Sequence, residues 1–186
     1  MSQPQTAFNV LVDLAQRSRS AAKGLPSETK VQPHWSGIGF TLLGQYFVVP
    51  MGEVTELLEH PPYTKLPGVQ PWVMGVANVR GRLLPLINLP AFLGGKLEGQ
   101  RKRHRVLVLE QGDLYTGLVV DAALGMQHFP IDTYKEGAAE LDDTLRPYMV
   151  GSYANSRSAI TSDDQRWYVF SPAKLIDDPN FINAAQ

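Results

Sequence analysis

Glycine and proline divide most of this sequence into short apolar runs, and this division constrains the fold more than any other feature. The 186 residues include 16 glycines and 14 prolines. In one run, Ile38, Phe40 and Leu42 alternate with small or polar residues, which places them on one face of a β-strand. Many short strands with few helices are typical of closed β-barrels, which leave no sheet edge exposed. We therefore expect a mainly β protein.

Six further segments carry a strand signal. They are short, rich in apolar residues and bounded by turn residues: 46–49, 72–79, 83–87, 106–109, 117–120 and 166–170. Residues 106–109 and 117–120 are almost wholly apolar, which predicts strands that are buried on both faces. Residues 54–59 fit either a short helix or the start of a strand, and residues 173–176 fit one helical turn.

A longer helix is predicted near the front of the chain, over residues 6–22. Thr6 is placed to cap its start, and Gly24 with Pro26 ends it. Residues 25–33 contain two prolines and are expected to form a linker. The residues that follow the three-and-four spacing of a helix face are Phe8, Leu11, Val12, Ala15, Arg19 and Ala22.

Composition excludes several classes of protein. Net charge is −1, with 44% apolar and 19% charged residues, a balance typical of globular proteins. The absence of cysteine excludes disulfides, thiolate metal ligands and a cysteine nucleophile. Neither a secretory signal nor a run of about 18 apolar residues is present, so we expect a cytoplasmic protein without direct membrane insertion.

The sequence predicts no catalytic residue, metal site or cofactor. The four histidines have no metal-ligand spacing and are expected to face solvent: His34, His60, His104 and His128. Gly94-Gly95-Lys96 is followed by Leu97 where a phosphate-binding loop needs Ser or Thr. The acidic pairs at 142–143, 163–164 and 177–178 are adjacent in sequence, and neighbours on a strand point to opposite faces.

One basic run, residues 101–105, offers an alternative function. Arg101, Lys102, Arg103 and Arg105 would neutralise phosphates in a nucleic-acid-binding β-barrel. No aromatic residue is interleaved to stack on bases, so we interpret the run as a solvated loop. Contact with an acidic partner stays open.

Taken in order, several segments resemble the CheW family of chemotaxis adaptors over residues 36–176. These segments are FTLLGQYFVVP (40–50), VTEL (54–57), LP (66–67), WVMGVANVRG (72–81), LPLINL (84–89), GLVVD (117–121), PYMVG (147–151) and WYVF (167–170). The helical front end and the following residues 35–40 are similar to those CheW-like proteins that serve type IV pilus chemosensory systems.

The resemblance implies two small five-stranded SH3-like β-barrels packed on a shared core. By analogy, the first barrel uses residues 35–90 plus the last strand, and the second uses most of what lies between. The implied organisation is an N-terminal helix and linker (1–34), the CheW-like domain (35–176) and a C-terminal tail (177–186).

The function implied by the resemblance is that of a non-catalytic scaffold. Such adaptors couple methyl-accepting chemoreceptors to a CheA-type histidine kinase, here in the system that controls type IV pili and twitching motility. One surface would bind the kinase's regulatory CheW-like domain and another the receptor's cytoplasmic tip. The chain would be recruited to membrane-associated arrays through these partners.

The residues that match the family's partner-binding positions are Val54, Glu56, Gly75, Asn78, Arg80, Gly81 and Leu83. A structural alternative stands beside each. Gly75 and Gly81 fit turn positions, and Asn78 fits a hydrogen bond to its own turn. Val54 and Leu83 fit core positions, while Arg80 fits an ion pair with Glu56.

Three further positions carry expectations. Asp121 is expected to end a strand and order the next turn. Asn88 and Ser171 stand where the family usually has an acid, so a salt bridge taken from relatives is not expected at either position.

Overall fold

The chain folds as two units that divide between Gln32 and Pro33. The computed structural model describes residues 7–21, 33–112, 114–154 and 166–184. In the first unit, helix α1 (Ala7–Ala21) confirms the helix predicted over residues 6–22. Its predicted cap and stop residues lie outside the described residues. The exposed apolar side chains of α1 include Val10, Leu11, Val12 and Leu14.

The second unit is built from strands. Those in its described residues are β1 (His34–Leu42), β2 (Gln45–Pro50), β3 (Glu56–Glu59), β4 (Val73–Val79), β5 (Arg82–Asn88), β6 (Arg105–Gln111), β7 (Leu114–Val120), β8 (Ala122–Pro130), β9 (Tyr134–Glu136), β10 (Met149–Ala154) and β11 (Arg166–Phe170). Three short α-helices accompany them: α2 (Leu89–Phe92), α3 (Pro172–Ile176) and α4 (Pro179–Ile182). The predicted strand segments are therefore confirmed, and residues 54–59 contain a strand rather than a helix.

These strands form two sheets of non-sequential order. The first has six strands in the order β8-β1-β2-β11-β10-β9, and the second has five in the order β3-β6-β7-β5-β4. Each contains one parallel pair, β2 with β11 and β5 with β7. The expected division, with residues 35–90 in the first barrel, is wrong because β3, β4 and β5 belong to the second sheet.

Strands β8, β9 and β10 were not predicted as strands, and all three lie in the first sheet. In β8, Gly125 has a positive φ of 73°, and the pairing with β1 shifts register between Gly39 and Phe40. Such a bulge interrupts the alternation from which a strand is recognised. Strand β9 has only three residues, all exposed.

In the described residues the core consists of three apolar clusters, and alternation of side chains along the strands connects them. In β7, Leu118 and Val120 join a central cluster that includes residues of both sheets, whereas Val119 faces the cluster of the five-stranded sheet. In β11, Phe170 likewise joins the central cluster, and Val169 packs inside the six-stranded sheet. Each sheet therefore encloses its own core and shares a middle layer, as expected for two barrels.

Residues expected to form a C-terminal tail pack on this core. Phe181 in α4 is buried, and its ring stacks on Trp72 at 5.9 Å between centroids. The Tyr148 hydroxyl donates to Asp178 Oδ2 at 2.5 Å. This hydrogen bond helps hold the pKa of Asp178 below its usual value, while burial and the same contact raise that of Tyr148. None of the helices in the described ranges has the length and apolar character to cross a membrane.

Candidate partner-binding surface

Five of the seven predicted site residues lie on one surface of the five-stranded sheet. Strands β4 and β5 form a hairpin in which Asn78 lies directly opposite Leu83. At the tip of this hairpin, Arg80 Nη2 lies 2.6 Å from Glu56 Oε1 on β3. We call this set the hairpin surface: Glu56, Asn78, Arg80, Gly81 and Leu83.

The turn that presents this surface follows from its sequence. Arg80 and Gly81 both have positive φ, 51° and 81°, as a two-residue type I′ turn requires. The Gly81 amide donates to Asn78 Oδ1 at 2.9 Å. The structural alternatives for Asn78 and Gly81 are therefore confirmed, and both residues fix the backbone on which Arg80 is displayed.

The ion pair between Arg80 and Glu56 links the tip of the β4–β5 hairpin to β3, a strand that pairs with neither β4 nor β5. In the sheet order, β3 and β4 are the two edges, so the contact spans the seam of the barrel. The Arg80 side chain is 79% exposed and that of Glu56 25%. An ion pair this exposed contributes at most about 1 kcal/mol to stability. Because the Arg80 side chain is so exposed, its guanidinium is also accessible to a partner.

Gly75 lies at the same seam, away from the surface. Thr64, which follows β3, exchanges two backbone hydrogen bonds with Val76 of 2.8 and 2.9 Å. Gly75 has φ of 142°, and a Cβ added to it would lie 2.1 Å from the Thr64 carbonyl oxygen. The expectation that Gly75 supplies an unusual dihedral is therefore confirmed, but the turn position is wrong, because Gly75 lies within β4 where the barrel closes.

The two apolar candidates, Val54 and Leu83, differ in their burial. Val54 is 8% exposed and belongs to the central cluster, which confirms its core alternative. Leu83 is 70% exposed, so the core alternative is wrong for this residue. Its apolar side chain is therefore available for contact with a partner.

Asp121 ties parts of both barrels together. It lies between β7 of one sheet and β8 of the other and is 6% exposed. Its carboxylate accepts hydrogen bonds from the amides of Leu43, at 2.9 Å, and Glu98, at 2.7 Å. The prediction that Asp121 ends a strand is confirmed, but the prediction that it orders the next turn is wrong, because β8 begins at the next residue. Its carboxylate instead clamps the β1–β2 connection to the loop at Glu98, a contact that the sequence did not predict.

Asn88 and Ser171, at which no salt bridge was expected, both cap helices. Asn88 Oδ1 accepts from the Ala91 amide at 3.1 Å, at the start of α2. Ser171 Oγ accepts from the Lys174 amide at 3.5 Å, at the start of α3. Asn and Ser are preferred at such positions, so both helix starts are satisfied without an acid.

The histidines differ from one another. His104 is 8% exposed, and its Nε2 lies 3.0 Å from the Glu98 carbonyl oxygen, so the prediction that it faces solvent is wrong. Its ring lies 6.5 Å from that of His60, whose pKa is lowered chiefly by burial. Among the described residues, no group of three or more His, Cys, Asp or Glu could hold a metal ion.

The basic run, residues 101–105, includes a surface turn and the first residue of a strand. Residues 101–103 form an exposed 3-10 turn, which confirms the predicted loop there. Arg105 begins β6, with its Nη2 3.9 Å from Glu59 Oε1. Most of the run therefore lies in an exposed turn, and its last residue belongs to a strand.

Comparison with known proteins places this geometry in a family. Residues 36–180 match the CheW-like domain. Protein PilI of Pseudomonas aeruginosa is 49% identical over 185 residues, which cover 100% of this chain and 99% of that protein. Chemotaxis protein CheW of Helicobacter pylori is 33% identical over 61% of this chain and 68% of its own length.

A solved structure agrees in fold. The crystal structure of scaffolding protein TtCheW from Thermoanaerobacter tengcongensis superposes with a TM-score of 0.64 at 20% identity, covering 80% of this chain and 96% of that one. The double-barrel architecture is therefore shared even where the sequences have diverged. On the family match and the identity across the full length, the chain belongs to the CheW-like domain family of non-catalytic chemotaxis adaptors.

Proposed function

We propose that this chain couples methyl-accepting chemoreceptors to a CheA-type histidine kinase in the chemosensory system that controls type IV pili and twitching motility. The observation that carries the proposal is the 49% identity to Protein PilI over the full length of the chain. That similarity includes the residues that precede the CheW-like domain at 36–180. The similarity to the Helicobacter pylori CheW covers only 61% of the chain.

The double barrel suits a scaffold because its parts are fixed relative to one another. A middle layer of buried residues joins the two sheets, and Asp121 clamps the crossover between them. Such a body holds two partners in a set geometry, so a small movement of the receptor shifts the kinase between active and inactive states. The output is mechanical, and no reaction is required of the adaptor.

The proposed partners are the regulatory domain of the kinase, itself CheW-like, and the cytoplasmic tip of a receptor. A groove between packed strands accepts the apolar face of an amphipathic helix, which is the form of a receptor tip. Recruitment to membrane-associated arrays then comes through the partners.

Within the proposed binding residues we assign two kinds of role. The hairpin surface makes the contacts, with Leu83 as its apolar centre and Arg80 as its charge, because both side chains are largely exposed. Val54 and Gly75 act indirectly, since Val54 anchors the approach to β3 in the core and Gly75 permits closure of the seam.

We also propose that residues 1–34 have a function of their own, which is to bind a partner specific to the pilus system. Helix α1 displays apolar side chains, with Leu11 65% exposed. Deletion of residues 1–30 should weaken binding of the kinase or the receptor. Unchanged affinity and unchanged stability would contradict any role for the segment.

Binding assays with purified proteins test the function directly. The full chain should bind the kinase regulatory domain and the receptor cytoplasmic fragment stoichiometrically in biolayer interferometry. Leu83→Ala should weaken at least one of these complexes about tenfold, the loss expected at the centre of an interface. Ile182→Ala is the matched control, because Ile182 is an aliphatic side chain of similar exposure, 67% against 70% for Leu83.

Two results would count against the proposal at different levels. Failure of the wild-type chain to bind either partner contradicts the adaptor function itself. Wild-type affinity in Leu83→Ala contradicts only the assignment of the hairpin surface.

A further inference from the structure

An open cleft lies at the far end of β3 from the hairpin surface. Glu56 begins β3 and contacts the hairpin, whereas Glu59 ends the strand at the cleft. The cleft has a volume of about 710 Å³. We call it the basic cleft, and its lining residues are Glu59, His60, Pro62, Arg101, Lys102 and Arg105.

The charge of the cleft is positive and largely unpaired. Arg101, Lys102 and the adjacent Arg103 are exposed, and none of them makes an ion pair with another residue in the part of the chain that the structure describes. The acid in the lining, Glu59, has a side chain that is 89% exposed and lies 3.9 Å from Arg105. Two unpaired cations of the lining, Arg101 and Lys102, thus stand beside one weakly held carboxylate.

The backbone that carries these cations is fixed. In the 3-10 turn, the Arg103 amide donates to the Gln100 carbonyl at 2.8 Å. Arg105 Nη1 donates to the Lys102 and His104 carbonyls at 2.8 and 2.9 Å. The buried His104 ring anchors the same turn through Glu98 at 3.0 Å. The turn therefore presents its basic side chains from a set position, which lowers the entropic cost of binding.

We propose that the basic cleft binds an acidic segment of a protein partner, through carboxylates that pair with Arg101 and Lys102. Pro62 and the aliphatic stems of the basic residues supply an apolar wall against which such a segment packs. The inference goes beyond the adaptor function, since it concerns a second surface at the other end of β3.

Charge and composition favour an acidic polypeptide over a nucleic acid. Among the lining residues only His60 has an aromatic ring, so successive bases find no series of aromatic side chains on which to stack. The chain as a whole carries a net charge of −1, so its long-range field does not attract a long polyanion. A short acidic segment needs only the local field of the cleft.

Fluorescence anisotropy with a labelled probe tests the proposal. The probe is a fluorescein-labelled peptide of eight residues in which Glu and Ala alternate, and its counterpart carries Gln in place of Glu. The folded full-length chain should bind the Glu peptide saturably, and added salt should weaken the complex because exposed charges are screened.

Variants locate the binding. Lys102→Gln should weaken the Glu peptide about threefold, and Arg101→Gln with Lys102→Gln about tenfold, as expected for one and two exposed charge pairs. Lys135→Gln is the matched control, because Lys135 is an exposed lysine on β9 of the other sheet. It should bind like the wild type. Circular dichroism and thermal melting verify that every variant is folded.

Three results would overturn the inference. The first is equal affinity for the Glu and Gln peptides, and the second is an equal loss in the Lys102 and Lys135 variants. The third is tighter binding of an eight-nucleotide oligothymidine with the same dependence on Arg101 and Lys102, which would make the ligand a nucleic acid. Kinase and receptor binding tests the proposed function separately, so a chain that binds both partners but ignores the peptide overturns this inference alone.

Discussion

Replacing Gly75 with Ala tests how the five-stranded barrel closes. The new Cβ would lie 2.1 Å from the Thr64 carbonyl oxygen, which is a backbone atom and cannot rotate away. Thr64 would have to move, and its two hydrogen bonds with Val76, of 2.8 and 2.9 Å, would break. The positive φ of 142° adds strain for any residue with a side chain.

The expected magnitude follows from these contributions. Backbone strain at such a φ costs about 1–3 kcal/mol, and each lost hydrogen bond costs about 1 kcal/mol. Gly75→Ala should therefore lower the free energy of unfolding by about 3–5 kcal/mol. For a domain of this size the melting temperature should fall by on the order of 10 °C.

Urea unfolding and amide hydrogen exchange measure the effect, and Gly81→Ala supplies the control. Gly81 also has a positive φ, 81°, but its added Cβ would meet nothing within 4 Å. This variant should cost only about 1–2 kcal/mol, and it should leave the Val76 amide protected. Equal losses in the two variants, or unchanged protection of Val76 in Gly75→Ala, would refute closure of the seam at Thr64.

Three further predictions concern charged groups. Arg80→Ala should change stability by less than about 1 kcal/mol yet weaken partner binding. A double-mutant cycle of Glu56→Lys with Arg80→Glu should measure the coupling between the two side chains. A lowered melting temperature with normal binding by the folded fraction would make Arg80 purely structural. Asp121→Ala should cost about 2–4 kcal/mol in urea unfolding, because the Leu43 and Glu98 amides lose a charged acceptor, and a loss below 1 kcal/mol would contradict the clamp. The hydrogen bond from Tyr148 is the largest cause of the lowered pKa of Asp178, so the stability that Asp178 contributes is present above its unfolded pKa and is lost as pH falls through its folded pKa. Asp178→Asn should therefore flatten the acid limb of the curve of stability against pH. An unaltered acid limb would argue against the contact.

The structure separates exposed from structural residues among those predicted to bind partners, which the sequence did not. The residues predicted to bind partners divide into an exposed set, with Leu83 and Arg80, and a structural set, with Val54 and Gly75. Substitutions in the second set are expected to disturb binding through the shape of the barrel. Stability should therefore be measured beside affinity for each of them.

Local pattern was sufficient to predict much of this protein. The alternation of apolar residues over 38–42 and the apolar run at 117–120 predicted strands, because side chains on a strand alternate between its faces. The Asn78 to Gly81 turn was also predictable, since an Asn side chain bonds to its own turn and Gly accepts positive φ. The ion pair between Arg80 and Glu56 was expected as an alternative and is present.

Tertiary structure decided the features that join distant parts of the chain. The parallel pairing of Phe47 with Tyr168 assigns the strands to sheets, and no local spacing encodes which remote strand is the partner. The burial of His104 and the contact of Gly75 with Thr64 likewise depend on segments brought together from elsewhere. The sequence by itself thus determined most of the strands and the turn at Asn78 to Gly81, which are short-range properties of the backbone, but not β8, β9 and β10. Only packing determined sheet membership, the closed seam and the exposure of Leu83, because these depend on which surfaces meet.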